Sequence, residues 1–445
     1  MTEPYNLTAS EAARAIANGT LGAGELLGSL LERIRLAEPA VAAWEHRDEA
    51  GALAAANRFD AAGARQTGLS LGGVPIGIKD IYDIRGLPTR CGFGPWADRR
   101  ADADATTVAR ARAAGAVFLG KTVTTQFAFA DPPKTTNPWN PERTPGGSSS
   151  GSAAAVAARM VPLALGSQTA GSILRPAAYC GVLGLKPTYG RISRQGIFPL
   201  AWSLDHPGPI ARSVEDLALA LSVLAGRDPT DPTTAAPRPG DYRAAVQSRI
   251  EPPAFGVMTD FFQAAEPPVA ETVNEAVNTL TRAGARRVDR RLTTPLRTVA
   301  AAQQVIMQVE AAEIHAQLHA ELPEAYAPRM RALVEIGQAV PAHLYLRAQR
   351  VRRQFRREMA EVIGTVDCLL MPTVSNLAPG RETTGDRTFQ APWSLVGWPT
   401  LTLPAGLAAG LPTGLQLVAG PWQEERLLAI ARWAEQRLPP IPSPV

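Results

Sequence analysis

A serine- and glycine-rich segment, TPGGSSSGSAAAVAARM, begins at Thr144 and offers several hydroxyl groups for chemistry. Positions 147–151 match G-x-S-x-G, the nucleophile elbow, which would make Ser149 the attacking group. Such an elbow must follow a β-strand, and the preceding NPERTPGG is not strand-like. None of the five histidines lies in a motif typical of the base in a Ser-His-Asp enzyme. We therefore expect that Ser149 is not the nucleophile.

Two other patterns match known sites only in their letters. GAVFLGKT (115–122) satisfies the phosphate-binding pattern G-x-x-x-x-G-K-T, but its inner residues are strand-like and a helix precedes rather than follows it. We interpret it as a turn followed by a strand. HAQLH, from His315 to His319, lacks the glutamate of H-E-x-x-H. We therefore expect no metal site, and no cofactor motif stands out elsewhere.

A second candidate segment is GSQTAGSILRPAAYCG, in which Ser172 leads into a short helical turn. Pro176 lies in the first turn and Gly181 follows its end, as is typical of helix termini. The N–H groups of Ala170, Gly171 and Ser172 would be unpaired there and could converge on a developing oxyanion. A serine at this place needs a base, and no histidine is near it in the sequence.

Lysine is rare enough in this chain to suggest the base. Only four of 45 basic residues are lysine, namely Lys79, Lys121, Lys134 and Lys186. Arginine stays protonated in proteins, whereas a desolvated lysine can lose its proton and act as a base. Lys79 ends the apolar strand VPIGIKD, and strand alternation points Asp80 to the other face. We predict a chemical role for one or two of the four lysines, with Lys79 the candidate base.

Taken together, these segments resemble the amidase signature family of serine amidohydrolases. The resemblance rests on PIGIKD, LPTRCG, DATTVARARAAGAVFLGKT, NPWN, PGGSSSGSAAAVAA and GSQTAGSILRPAAYCGVLGLKPTYGRIS, and it resumes with LMPTV and LVGWPTLTLPAG…GLPTGLQLVAG. Residues from about 227 to 360 match only in helical character. The resemblance therefore covers most of the chain.

The resemblance implies a Ser–cisSer–Lys triad. It assigns Lys79 as the base, Ser148 as a proton relay preceded by a cis peptide bond from Gly147, and Ser172 as the nucleophile. It also implies an oxyanion hole and a supporting hydroxyl near the triad. The resemblance assigns the oxyanion hole to Thr169, Ala170, Gly171 and Ser172. It assigns the supporting hydroxyl to Ser149.

The chain departs from the family pattern T-D-x-G-G-S-I-R around the nucleophile. Gln168 replaces the aspartate, Ala170 a glycine and Leu174 the arginine. Loss of both charged residues fits loss of a supporting ion pair, and Arg175 could supply the cation one position later. Val123 and Gln126 also depart, from G-K-T-N-x-x-E-F. None of these changes affects the triad, so we expect activity.

The elements that must position these residues alternate between helices and strands, which predicts the α/β class. The expected fold is that of the amidase signature, with a central mixed sheet surrounded by helices and a helical insertion or lid. We expect one domain over 1–445. Within it, 65–226 forms the catalytic core, about 227–365 is mainly helical and faces the substrate, and 366–445 returns sheet strands and a last helix. Residues 8–36 predict two helices, with Ser10 as N-cap of the first.

Composition excludes several functional classes. The chain has 45% hydrophobic residues, a net charge of +4 and three cysteines, and its basic residues are dispersed. We expect a reduced cytoplasmic protein that binds neither nucleic acid nor membrane and is a monomer or homodimer. The expected substrate is a small amide or carbamate.

The leading hypothesis is a stand-alone serine amidohydrolase that cleaves an acyl C–N bond through an acyl-enzyme. An aryl amide or a carbamate (urethane) shares this chemistry, and ester cleavage would be a side activity. One alternative is the ammonia-supplying, glutaminase-type subunit of a tRNA-dependent amidotransferase, which needs a partner chain. A non-catalytic binding protein is a further alternative, disfavoured by the intact triad positions.

Overall fold

A computed structural model describes residues 3–63, 68–234 and 237–444 of the chain. Residue 65, where the sequence places the start of the catalytic core, lies outside the described residues. So do residues 235 and 236, within the Pro/Asp-rich segment that follows this core.

One mixed sheet of eleven strands passes through the described part of the chain. The strands are β1 (Trp44–Arg47), β2 (Pro75–Lys79), β3 (Val117–Thr122), β4 (Leu163–Gln168), β5 (Leu183–Lys186), β6 (His206–Ala211), β7 (Ala254–Met258), β8 (Arg286–Arg290), β9 (Cys368–Pro372), β10 (Thr400–Ala408) and β11 (Leu411–Val418). Their order is β1-β3-β2-β4-β6-β5-β10-β11-β9-β7-β8. Strand β2 is parallel to both β3 and β4, and β7 is parallel to both β8 and β9. The other pairings are antiparallel.

Helices surround this sheet. They are α1 (Ala9–Ala17), α2 (Ala23–Val41), α3 (Glu49–Ala62), α4 (Thr106–Ala113), α5 (Ser150–Ala157), α6 (Leu174–Cys180), α7 (Val214–Leu224), α8 (Tyr242–Gln247), α9 (Thr259–Ala264), α10 (Pro267–Arg282), α11 (Leu296–Ile314), α12 (Ala316–Glu321), α13 (Pro328–Ala339), α14 (Ala342–Ile363), α15 (Ala391–Val396) and α16 (Glu424–Glu435). The architecture confirms the predicted α/β class with a central mixed sheet.

The middle of the sheet positions the candidate residues. Strands β2 and β4 are buried at every position, and a strand covered on both faces has the near-continuous small and apolar run that both sequences show. Helix α5 is also buried throughout, because its small residues pack closely in the core. Helix α6 follows β4 after a five-residue turn, so the two candidate serine segments lie beside the same strand.

Two details differ from the sequence predictions. Thr8, not Ser10, is the N-cap of α1: its hydroxyl accepts the N–H of Glu11, and the Glu11 carboxylate accepts the N–H of Thr8. Strands β7 and β8 both lie within 227–365, the region predicted to be mainly helical. The alternation of β8 is weak because it is an edge strand whose arginines remain partly exposed.

No helix within the described ranges has the length and apolarity needed to cross a membrane.

Candidate active site

Lys79 ends β2 and is fully buried. Its Nζ donates hydrogen bonds to Ser148 Oγ at 2.7 Å and Ser167 Oγ at 2.8 Å. Burial holds the pKa of Lys79 well below its ordinary value of 10.5, and Asp205 opposes this shift while Arg175 adds to it. A lysine in this environment favours the neutral amine, which is the form that a general base needs.

The serine loop reaches Lys79 through Ser148. The peptide bond between Gly147 and Ser148 is cis, the geometry that the resemblance implies at this position. Ser149 instead faces β4: its hydroxyl donates to the carbonyl of Ser167 and accepts the N–H of Ser167, both at 3.2 Å. The contacts of Ser149 therefore fasten the loop to the strand, whereas Ser148 contacts the candidate base.

Ser172 lies in the turn between β4 and α6, against the serine loop. Its carbonyl accepts the N–H of Ser149 at 3.3 Å. Its hydroxyl makes no hydrogen bond to another described residue, and its side chain keeps a small opening to solvent, with the residue 6% exposed. This hydroxyl is therefore free to react, and transfer of its proton to Ser148 belongs to the proposal below.

The backbone before Ser172 presents donors without partners. The N–H groups of Ala170, Gly171 and Ser172 donate to none of the described residues. A side chain at Gly171 would clash with Gln390 Oε1, so this position has no room for one. Unpaired, closely approachable N–H groups at the start of a helix can stabilise an oxyanion. The predicted oxyanion segment therefore has free donors.

Three contacts hold this segment in place. The Thr169 hydroxyl donates to Asp205 Oδ1 at 2.5 Å. Gln303 Nε2 donates to the carbonyl of Thr169 at 3.2 Å, and Ser394 Oγ donates to that of Ala170 at 2.8 Å. Asp205 also accepts the N–H groups of Leu200 and Ala201, so its carboxylate connects the oxyanion segment to the loop before β6.

Gln168, which departs from the family pattern, has a structural role. Its Oε1 accepts the N–H groups of Ile173 and Leu174 at 3.0 and 3.1 Å, and its Nε2 donates to Ser394 Oγ at 3.0 Å. Those two N–H groups begin α6 and have no partner inside the helix. A neutral amide therefore caps the helix that follows Ser172.

The other lysines do not lie at the triad. Lys121 Nζ forms a buried ion pair with Asp80 at 2.8 Å, so Asp80 faces away from Lys79, as strand alternation predicted. Lys186 is buried and donates to the carbonyl of Trp398. Lys134 is half-exposed and pairs with Glu45. Among the four lysines, only Lys79 contacts a predicted site residue.

The patterns set aside in the sequence have structural roles. GAVFLGKT forms a turn at Gly115, where φ is +89°, and then β3. His315 Nδ1 lies 2.9 Å from the hydroxyl of Tyr326 within a cluster of aromatic rings. No group of three or more metal-binding side chains occurs among the described residues.

A cavity of about 430 Å³ opens beside the candidate site. Ser167 and Thr169 form its inner wall, and Phe198, Leu200 and Trp202 contribute apolar surface. A larger groove of about 640 Å³ between α1, α2 and α3 contains none of the predicted site residues. The smaller cavity therefore lies next to Thr169 of the oxyanion segment, where a substrate group could bind.

Sequence reasoning missed Ser167, Asp205, Gln303 and Gln390. Ser167 could have been found from strand pairing, because β2 and β4 are parallel and Ile78 pairs with Leu165, two residues before Ser167. The other three come from distant loops and helices, and no spacing in the sequence links them to Ser172.

Comparisons with known proteins identify the family and the fold of the chain. The family model described as Amidase matches residues 25–428. The chain is 38% identical to a glutamyl-tRNA(Gln) amidotransferase subunit from Chloroflexus aurantiacus, over 98% of each chain.

Solved structures show the same fold. One, described as "An unexpected vestigial protein complex reveals the evolutionary origins of an s-triazine catabolic enzyme", has a TM-score of 0.90 and 33% identity over 97% of this chain and 98% of that chain. The native peptide amidase of Stenotrophomonas maltophilia has a TM-score of 0.84 and 28% identity, over 100% of this chain and 99% of that chain.

Proposed function

The chain belongs to the amidase signature family, whose enzymes act on C–N bonds, and from this premise we propose that it hydrolyses an acyl C–N bond through an acyl-enzyme on Ser172. The observation that carries the proposal is the contact of a fully buried lysine amine with the hydroxyl of Ser148, beside a serine with a free hydroxyl. No carboxylate pairs with that amine among the described residues, which favours its neutral form.

The proposed cycle begins when Ser172 Oγ attacks the carbonyl carbon of the substrate. The Ser172 proton passes to Ser148 Oγ, while Ser148 gives its own proton to the Lys79 amine. The carbonyl oxygen becomes an oxyanion and accepts N–H groups from the segment 169–172. Each proton has a defined acceptor, so no histidine is required.

Collapse of this intermediate breaks the C–N bond. The proton on Lys79 returns through Ser148 to the leaving nitrogen, because an amine leaves readily only when protonated. Water then attacks the ester on Ser172 by the same relay, which releases the acid and restores the serine. Ser149 and Gly147 position the loop, and neither takes part in proton transfer.

Two hypotheses for the substrate remain, and the comparisons favour the one that sequence analysis ranked second. Relatives at 38–39% identity, each matched over at least 95% of its own length, are amidotransferase subunits. By this reading the chain releases ammonia from a carboxamide inside an assembly, and its partner is another subunit. In the sequence, Gln168 and the divergent helical middle of the chain count against this hypothesis, but Gln168 keeps a helix-capping role.

One observation favours a stand-alone hydrolase instead. The cavity beside Thr169 is mainly apolar and carries the rings of Phe198 and Trp202, which suit an aryl or alkyl group better than a small polar amide. By this reading the substrates are aryl amides or carbamates, and the protein acts alone as a monomer or homodimer.

The experiment that tests the proposal is a hydrolysis panel with the purified protein. The panel contains glutamine, simple primary amides, nitroanilides, carbamates and esters, with Ser172→Ala as the blank. Turnover of nitroanilides or carbamates by the isolated chain supports the stand-alone hydrolase. Glutamine turnover that rises when a partner subunit is co-expressed supports the amidotransferase reading. Turnover that survives Ser172→Ala contradicts the mechanism.

A further inference from the structure

Arg175, on α6 directly behind Ser172, is an arginine buried without a carboxylate partner. It is 3% exposed and forms no ion pair with any described residue. Its Nη2 donates to the carbonyl of Gly147 at 2.6 Å and to Thr384 Oγ1 at 3.3 Å. Its Nε and Nη1 have no hydrogen-bond partner among the described residues. Buried charges are normally paired, so a cation in this state calls for an explanation.

The contact with Gly147 ties the two halves of the site together. Gly147 directly precedes Ser148, the hydroxyl that contacts Lys79. Arg175 itself is held by α6, where its N–H donates to the carbonyl of Gly171 at 2.9 Å. One side chain therefore connects the helix that follows the nucleophile to the loop that carries the proposed relay.

We propose that Arg175 is a positioning residue with two roles: it fixes the loop carrying Ser148, and its unpaired charge adds to the effect of burial in disfavouring a proton on the proposed base, Lys79. The inference deepens the proposed function and rests on it. Among the described residues, the Arg175 side chain makes no hydrogen bond to Lys79, Ser148 Oγ or Ser172, so it acts through Gly147 and through its electric field.

The charges around the two residues give the expected sign. Around Lys79, the groups that matter are Asp205 and Cys91, which favour its protonated form, and Arg175, which disfavours it. Burial raises the pKa of the Cys91 thiol, so this group stays neutral. Arg175 is thus the cation that opposes Asp205.

The surroundings of Arg175 leave it charged. Burial lowers the pKa of Arg175 to about 10, with Tyr179 and Asp386 opposing this shift and Arg387 adding to it. Near neutral pH the guanidinium is therefore protonated, and it disfavours a second positive charge on Lys79.

Four variants separate the two roles. Arg175→Gln removes the charge and keeps an amide donor for Gly147. Arg175→Lys keeps the charge and weakens the contact, because a single ammonium replaces the forked guanidinium. Lys79→Met, alone and combined with Arg175→Gln, reports the protonation of Lys79 through unfolding rather than activity.

The first readout is the pH profile of kcat/KM for an amide that the wild type hydrolyses. In Arg175→Gln the pKa of Lys79 rises, so we expect the acid limb to move up by about one pH unit, which is a tenfold loss below the limb. In Arg175→Lys the limb stays within about 0.3 unit of the wild type, while kcat falls at every pH. A purely structural role would lower activity equally at all pH values and leave both limbs in place.

The second readout needs no substrate. In each background, wild type or Arg175→Gln, the free energy of unfolding is measured with Lys79 and with Lys79→Met. The first value minus the second begins to rise with pH at the folded-state pKa of Lys79. We expect this onset about one pH unit higher in the Arg175→Gln background than in the wild type. An unchanged onset overturns the proposal, even if the protein hydrolyses no amide.

The outcomes separate this proposal from the proposed function. Turnover that survives Ser172→Ala contradicts the proposed function, and so does an absence of turnover both in the panel and with a co-expressed partner subunit. In either case the unfolding onset still decides the role of Arg175. If Arg175→Gln does not fold, Arg175→Lys decides: a limb that moves up despite the retained charge refutes the electrostatic role.

Discussion

Replacing Lys79 with methionine tests whether this lysine is neutral in the folded protein. Methionine has a similar length and no charge, so it fills the same fully buried site without a proton to gain or lose. If Lys79 acts as the base, amide hydrolysis falls by roughly 10²–10⁴-fold. Lys79→Arg does not rescue it, because arginine stays protonated.

The magnitude follows from linkage. A lysine with a lowered folded-state pKa binds a proton in the unfolded chain but not in the folded protein, over the range between that pKa and its ordinary value of 10.5. Over this range the wild type gains about 1.4 kcal/mol of stability per pH unit as pH rises, and Lys79→Met does not. The stability penalty of Lys79 is thus greatest below its folded-state pKa and disappears as pH approaches 10.5.

The lost hydrogen bonds do not obscure this slope. Lys79 donates to Ser148 and Ser167, and removing two such bonds costs roughly 1–3 kcal/mol. That cost does not depend on pH near neutrality, because serine hydroxyls do not titrate there. The pH dependence of the difference, rather than its absolute size, therefore reports the state of Lys79.

Urea unfolding of both proteins at half-unit steps from pH 6 to pH 9 measures the difference. Lys121→Met is the matched control, since Lys121 is equally buried but paired with Asp80. Its removal leaves a carboxylate unpaired and costs about 3–5 kcal/mol. A wild-type minus Lys79→Met difference that stays flat over the whole range would show that Lys79 is charged when folded, and the base assignment would then be wrong.

Four further substitutions test neighbouring parts of the site. Ser172→Ala should abolish both amide turnover and covalent labelling by a fluorophosphonate, and labelling that persists in this variant would show that another residue is the nucleophile. Ser149→Ala should keep the labelling and lower the free energy of unfolding in urea by about 1–2 kcal/mol, because Ser149 only joins the loop to β4. Gln168→Leu should lower the unfolding free energy by about 2–4 kcal/mol, since two N–H groups of α6 lose their acceptor, and an unchanged urea midpoint would contradict the capping role. Gly171→Ala should lower kcat by at least tenfold with KM little changed, because the added methyl displaces Gln390 and shifts the oxyanion donors. A kcat equal to that of the wild type would contradict the assignment of this segment as the oxyanion hole.

The sequence could identify the residues whose chemistry is unusual. Lys79 stood out because lysine is rare in the chain, and Ser172 because small residues and a helix start surround it. The fold class followed from alternating helical and strand patterns, and the structure confirms it. These features are local, so a single sequence carries them.

The sequence could not supply the groups that converge from far along the chain. Asp205, Gln303 and Gln390 reach the oxyanion segment through tertiary packing, and no periodicity predicts such contacts. Strand β8 was missed for a related reason: an edge strand with arginines on its exposed positions lacks the apolar alternation on which strand prediction depends. The N-cap prediction at Ser10 was wrong because Thr8 and Ser10 are both good capping residues, and only the backbone geometry shows that Thr8 caps the helix.

The neutral side chain at Gln168 and the unpaired charge of Arg175 have a common explanation. An aspartate at 168 could cap α6 and also neutralise a neighbouring cation, whereas Gln168 performs only the first task. Arg175 then remains buried with no anion in contact, and its hydrogen bond goes to a backbone carbonyl instead. A cation without a counter-charge destabilises the fold, but it also disfavours a second positive charge on Lys79. By the proposal above, the unpaired Arg175 therefore lowers stability and favours the neutral form of the proposed base.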